Sequence, residues 1–444
     1  GIHKLRPGHV AILHENKKEP DITAYWCLSD VADAGAKNPF RGSVDEAMEE
    51  VERLLLNAVR GQMMADVPLG CFLSGGVDSS LTTALMQSLS DKPIKTFSIG
   101  FEEEAYNEAP YARAVATHLG TDHQEMIVTE QQARDVVPKL PQIYSEPFSD
   151  SSQIPTYLVS QLARSKVTVS LSGDAGDELF SGYRRYQLGD GLWQKLEMFP
   201  EGARHMAAKA FQSVSPDLWN SAVPRFLCRE NAGDKIHKVA DIIDSPSGNE
   251  LYRRLVSHWR NPEKLVLGGK EPPTMLTGLD AVPLMPNFVQ RMMLLDQQSY
   301  LPDDILVKLD RAGMGVALES RVPMLDHRLI EFTWRLPLSV LRHGGKSKAP
   351  LRAVLYKHVP CNLIERPKVG FGVPLDRWLR GSLRDWAEDL LSEKRLREDG
   401  FFNAAMVRAV WAEHLSGRYN RAYWLWDILM FQAFVGGRGS FPKC

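Results

Sequence analysis

Cysteine is scarce in this 444-residue chain, and the five present (Cys27, Cys71, Cys228, Cys361 and Cys444) are odd in number and widely scattered, with no Cys-x-x-Cys pair. That distribution argues against a disulfide framework or a cysteine-built zinc site and fits a reduced, cytoplasmic setting. No apolar run approaches the roughly 20 residues of a membrane-crossing helix, and no charged-then-apolar leader opens the chain. An excess of charge is lacking too: 53 basic residues against 55 acidic ones leave a formal net charge of −2. No overall field therefore recruits nucleic acid or an acidic membrane, and short basic stretches such as Tyr252-Arg253-Arg254 and His258-Trp259-Arg260 read as solvated helix faces. The commonest phosphate loop, GxxxxGK(S/T), is missing: Gly344-Gly345-Lys346-Ser347 has Val340 in place of the first glycine and no strand before it. Methionine does not stand at position 1, where Gly1 is found, as expected of a fragment or a processed product.

What is there is ordinary globular material, 44% hydrophobic and long enough for about two to three domains. Residues 1–41 are the least self-contained part, with one or two short strands over Ile2–Leu13 and a polar, turn-rich stretch over Pro20–Phe40. A helix is expected from Ser43, which has Glu46 three residues on and then Met48, Val51, Leu54, Leu55, Ala58 and Val59 at helical spacing. Strands over Val67–Leu73, Ile94–Phe101, Glu125–Val128 and Val167–Leu171 alternate with helices over Asn107–Leu119, Glu130–Tyr144 and Ile154–Ser165. The alternation predicts a doubly wound parallel α/β sheet in residues 42–200. Beyond about residue 200 strand signals fade, and 201–444 reads as a mainly helical continuation. The aromatics Trp411, Tyr423, Trp424, Trp426 and Phe431, at helical spacing, read as core rather than as a stacking platform.

One stretch organises the chain. The apolar run to Leu73 stops at Ser74-Gly75-Gly76, and a helical pattern starts right after Ser79 and Ser80. Paired glycines allow close backbone approach, and the N–H groups of the helix start, with the dipole behind them and the hydroxyls of Ser74, Ser79 and Ser80 beside them, favour an anion. Asp78 within that loop would repel phosphate unless a divalent cation lay between them. Ser172-Gly173 repeats the small-residue logic at a second strand end, and Asp177 follows it. In such sheets ligands bind beyond the carboxyl ends of strands where the winding reverses, so both loops can face one site. Two carboxylates there, Asp78 and Asp177, are what a magnesium ion bridging phosphates requires.

The motif Ser74-Gly75-Gly76-Val77-Asp78-Ser79 resembles the pyrophosphate loop of the ATP pyrophosphatases. Three further matches narrow the resemblance to the asparagine synthetase family: Leu171 to Tyr183; Lys308-Leu309-Asp310-Arg311 with Leu318 to Asp326; and Arg366 to Pro374. The resemblance implies ATP and Mg2+ as cofactors, with Leu73, Ser74, Gly75, Gly76, Asp78, Ser79, Ile99, Ser172 and Gly173 at the nucleotide and Asp78 and Asp177 at the metal. It implies activation of a carboxylate as an acyl-adenylate, with pyrophosphate released, followed by attack of ammonia to give an amide. Asp174 matches a position where many relatives carry glutamate, given to proton handling in the amide-forming step. Lys368, in a glycine-bearing loop, would neutralise charge on departing pyrophosphate. Residues 1–41 would be the tail of an N-terminal glutaminase domain and its linker. That domain's nucleophile is an N-terminal cysteine, and no residue here matches it, so glutamine hydrolysis is not expected of these 444 residues. The implied partners are a small-molecule carboxylate, ammonia and a glutaminase domain or subunit as its source, with room for a homodimer; no nucleic acid or membrane is expected. The acceptor is left open between aspartate and another carboxylate such as a sugar uronate or small peptide, the latter favoured by the shorter acid at Asp174. A nucleotide-binding chain without catalysis is the remaining alternative.

Overall fold

The computed structural model describes residues 3–103, 106–214, 218–219, 232–278, 285–366 and 372–437. Strands β1 (His9–Ile12) and β2 (Asp21–Ala24) form an antiparallel pair apart from the rest. The main sheet consists of β3 (Leu69–Phe72), β4 (Lys95–Phe101), β5 (Asp122–Val128), β6 (Val169–Leu171) and β7 (Glu319–Arg321), all parallel, in the order β5-β4-β3-β6-β7. The α/β reading is correct, and the chain winds outward from β3 to β5 before returning to lay β6 on the other side of β3. The switch point therefore lies between β3 and β6, with Gly70 opposite Ser170 and Cys71 opposite Leu171.

The helix Val44–Gln62 forms as its sequence demands. Glu46 N donates to Ser43 Oγ at 3.2 Å while Ser43 N donates to Glu46 Oε2 at 2.7 Å, and Val51, Leu54, Leu55, Ala58 and Val59 are buried on one face. The cap contributes ~1 kcal/mol, and each large buried apolar side chain roughly 1.5–3 kcal/mol. Apolar groups lie on both faces of the sheet. Cys71, Leu81, Leu85 and Leu171 belong to one core, and Phe97, Phe101, Ile154 and Trp378 to the other. Burial pushes the Cys71 thiol up to about 12, which leaves it an inert core group.

Three elements differ from the sequence-based reading. Residues 20–40 hold β2 and the helix Leu28–Lys37, which packs on the helix His327–Arg335 so closely that a Cβ on Gly35 would sit 2.7 Å from the backbone of Trp334. The stretch Glu130–Tyr144 is broken into helices Glu130–Arg134 and Leu140–Ile143 with a 3-10 turn at Val137–Lys139, since Pro138 and Pro141 lack the N–H groups a continuous helix needs. The helical region also supplies the fifth strand, β7, three residues long and too short to show a period of two. Among the aromatics, Trp411 and Trp426 are fully buried, whereas Tyr423 is half exposed.

Candidate active site

β3 ends just before the glycine turn Ser74-Gly75-Gly76. Gly75 adopts φ +75°, and a Cβ there would lie 2.8 Å from the carbonyl carbon of Tyr111, so the position is closed to other residues on both counts. Ser74 Oγ and Ser79 Oγ are 2.9 Å apart, Ser74 N donates to Ser79 Oγ at 3.1 Å and Gly76 N to Ser74 Oγ at 3.3 Å. Gly76 caps the 12-residue helix Val77–Ser88, so the loop closes over a helix N-terminus carrying Asp78 in its first turn.

β6 delivers the second loop against the first. A Cβ on Gly173 would lie 2.6 Å from Ser79 N, and one on Gly176 would strike the Asp78 carboxylate. Ser172 Oγ donates to Asp174 Oδ2 at 2.5 Å. Asp177 begins a short helical turn behind Ala175, whose φ of +74° is costly for a residue with a side chain. Asp78 and Asp177 are brought together as expected, and the group joining them is Lys348. Its Nζ lies 2.7 Å from Asp177 Oδ1 and donates to Asp78 Oδ2 as well, in a setting where the lysine side chain is 7% exposed. Burial pulls the Lys348 ammonium down, but Asp78 and Asp177 more than reverse this and hold it above the ordinary lysine value. No sequence signal pointed to Lys348. The glycine pair just before it, Gly344-Gly345, reads only as a phosphate loop that fails.

Leu73 and Ile99 are both buried, Leu73 in the first core and Ile99 in the second. Lys368 lies outside the described residues, as do Pro367, Val369, Gly370 and Phe371. Arg366, which opens that motif, rests on the loop after β3: its Nη2 donates to Ser74 O at 3.3 Å and Glu108 Oε1 at 3.1 Å, and its guanidinium lies 4.0 Å from the Tyr111 ring centre.

A second cluster of charges flanks Asp174. Lys308 Nζ donates to Asp150 Oδ2 and Ser152 Oγ, each at 2.9 Å. Burial lowers its proton affinity, while Asp150, Asp174 and Asp304 together raise it above the usual lysine value. Asp304 sits in a π-helical segment, Leu301–Ile305, a local distortion often found at functional sites. Next to Asp177, burial raises Glu178 to about 7 even though Tyr183 Oη donates to its Oε1 at 2.5 Å.

Fold and loops together define an α/β protein with a glycine turn, a helix start and paired carboxylates at the switch point of a parallel sheet. Residues 50–436 match the family described as Asparagine synthase, and the chain belongs to that family. It is similar to asparagine synthetase (glutamine-hydrolyzing) 1 of Bacillus subtilis strain 168, 27% identical over 393 residues that cover 88% of this chain and 60% of the relative. A putative asparagine synthetase (glutamine-hydrolyzing) of Mycobacterium tuberculosis is 30% identical over 437 residues, 97% of this chain and 63% of its own length. The amidase chry2 of Gibberella zeae is 26% identical, over 90% of this chain and 63% of its own. The chain thus spans about three fifths of the length of these relatives.

Proposed function

We propose that this chain is an ATP-dependent, AMP-forming amidoligase: it activates a carboxylate as an acyl-adenylate and passes it to ammonia. The observation that carries the reading is the meeting of Asp78 and Asp177 beside the Ser74–Ser79 loop at the switch point, with a positive charge already held between them. Family membership supports ATP as the nucleotide.

In this reading the N–H groups of the loop and the hydroxyls of Ser74 and Ser79 hold the phosphates in line with the acceptor, while Ser172 and Gly173 allow the nucleotide to lie close to the backbone. The two carboxylates fit a magnesium ion. They are hard oxygen donors from two loops and their cradle accommodates a cation, whose shell phosphate and water oxygens would complete. When bound, that ion supplies charge neutralisation on the departing pyrophosphate. Lys348 and, from the Arg366–Pro374 motif, Lys368 add positive charge where pyrophosphate leaves, and the anchoring of Arg366 on Ser74 supports this part for Lys368. Asp174 takes a proton from ammonia as it attacks the acyl carbon and AMP departs, a role that the hydrogen bond from Ser172 Oγ supports by fixing the carboxylate.

The acceptor is aspartate in the first reading. The shorter acid at Asp174 and the similarity to proteins named amidases favour a second, in which another carboxylate such as a sugar uronate or small peptide is amidated. The deciding experiment is pyrophosphate release by the 444-residue chain with ATP, Mg2+ and ammonium against a panel of carboxylates, with glutamine in parallel as nitrogen donor. Release that no carboxylate stimulates would defeat the ligase reading and leave a nucleotide-binding chain.

A further inference from the structure

The Lys348 ammonium occupies the place between Asp78 and Asp177 that the proposed function gives to a metal ion, and the surroundings are shaped to keep it there. Lys348 has φ +56°, a left-handed conformation that is costly for a residue with a side chain, and is held in it by its own N–H donating to Phe180 O at 3.2 Å. Gly182 lies against the lysine stem: a Cβ there would run into Lys348 Cε and Asp177 Oδ1. Ser181, the neighbour of Gly182, is itself left-handed at φ +53° and accepts a hydrogen bond from Arg342 Nε at 2.9 Å. Two strained residues and one obligatory glycine thus converge on seating a single ammonium between two carboxylates.

The energetics of exchange follow. Taking the ammonium out of this buried, hydrogen-bonded cluster leaves both carboxylates without compensation. A divalent ion arriving alone must displace the ammonium and gains two carboxylates, with no group of three or more His, Cys, Asp or Glu side chains among the described residues to hold it. Arriving with a nucleotide, the same ion brings phosphate oxygens that complete its shell and give the displaced ammonium a new anionic partner within reach of its stem. We propose that Lys348 is a positioning residue that makes metal binding conditional on nucleotide. It holds the two carboxylates together as an internal cation and yields its place only to a metal–nucleotide pair. The proposal rests on the reading of Asp78 and Asp177 as cation ligands.

The test is Mn2+ binding to the full chain, followed by electron paramagnetic resonance, with and without the α,β-methylene analogue of ATP. Wild type is expected to bind Mn2+ weakly alone and tightly with the analogue. Lys348→Met and Lys348→Gln, which leave the carboxylates without their internal cation, should bind Mn2+ alone at least about tenfold more tightly than wild type, whereas Lys348→Arg should not. Should both neutral variants bind Mn2+ alone no better than wild type while Asp78→Asn still weakens binding with the analogue, the exchange is overturned and the metal site stands. Should Asp78→Asn and Asp177→Asn both leave binding with the analogue unchanged, the metal reading itself fails. If the neutral variants do not fold, wild type labelled with 15N at lysine Nζ decides the matter. A protected ammonium signal that ignores Mg2+ alone and moves with Mg2+ plus analogue supports the exchange; one that moves equally with Mg2+ alone refutes it.

Discussion

Gly173 and Asp78 belong to loops almost 100 residues apart, yet a Cβ built on Gly173 would lie 2.6 Å from the backbone carbonyl carbon of Asp78. Backbone cannot yield as a side-chain tip can, so Gly173→Ala is expected to push the two loops apart. Overpacking of this kind costs about 1–3 kcal/mol. We expect a lowered melting temperature together with a loss of at least tenfold (~1.4 kcal/mol) in ATP–pyrophosphate exchange. Exchange at the wild-type rate would show that the spacing of the loops does not matter to the chemistry.

Asp78→Asn and Asp177→Asn should each remove magnesium-dependent ATP turnover and leave the fold intact. Either change leaves Lys348 paired with the other carboxylate, so the loss falls on cation binding rather than on packing. Circular dichroism and melting would confirm the fold, and normal ATP–pyrophosphate exchange in either variant would exclude the metal assignment.

For Lys368, truncation separates a ligase from a passive nucleotide binder. Lys368→Ala is expected to slow adenylate formation by about a hundredfold, the scale of one preorganised charge contact, while weakening ATP binding much less. Equal losses in both would mean ground-state binding only.

Asp304 gives the protein a pH signature. Burial first, and then the neighbouring Asp150 carboxylate, push Asp304 up to about 7, against the opposing effects of Lys308 and His258. The folded chain then carries a proton that the unfolded chain has already lost above about pH 4, so stability falls as pH rises from about 4 through 7. Asp304→Asn is neutral throughout and should therefore melt higher, relative to wild type, at pH 8 than at pH 5. A difference that does not change with pH between these values would refute the assignment.

Asp296 is the anchor of the helical region behind the site. It is 1% exposed and accepts from Arg185 Nη2 at 2.5 Å, from Tyr186 Oη at 2.6 Å and from Tyr252 Oη. Asp296→Ala would leave two buried hydroxyls and a half-buried guanidinium without their shared acceptor, and denaturant unfolding should register a loss of about 3–5 kcal/mol. A loss below about 1 kcal/mol, the scale of an exposed pair, would show that water replaces the carboxylate.

Residues close together in the chain made part of this protein legible without coordinates. The capping box at Ser43, the glycine turn after β3 and the repeat of that logic after β6 are local features, since a strand end, a turn and a helix start are written within about ten residues of one another. That is why Ser74–Ser79, Ser172, Gly173 and Asp177 are legible and the parallel sheet is expected, whereas Asp174 follows only from the family resemblance. Lys348 could not be, because nothing in Lys346-Ser347-Lys348 differs from a surface stretch until the fold carries it 170 residues back to Asp177 and 270 back to Asp78. β7 was hidden for a related reason: three residues, Glu319–Arg321, become a strand only because β6 offers an open edge. Turn chemistry and helix starts, both written locally in the chain, set where the glycine turns after β3 and β6 fall. Only the tertiary structure decided which charges meet there, since Coulomb pairing between buried groups depends on distance in space, which local patterns do not encode.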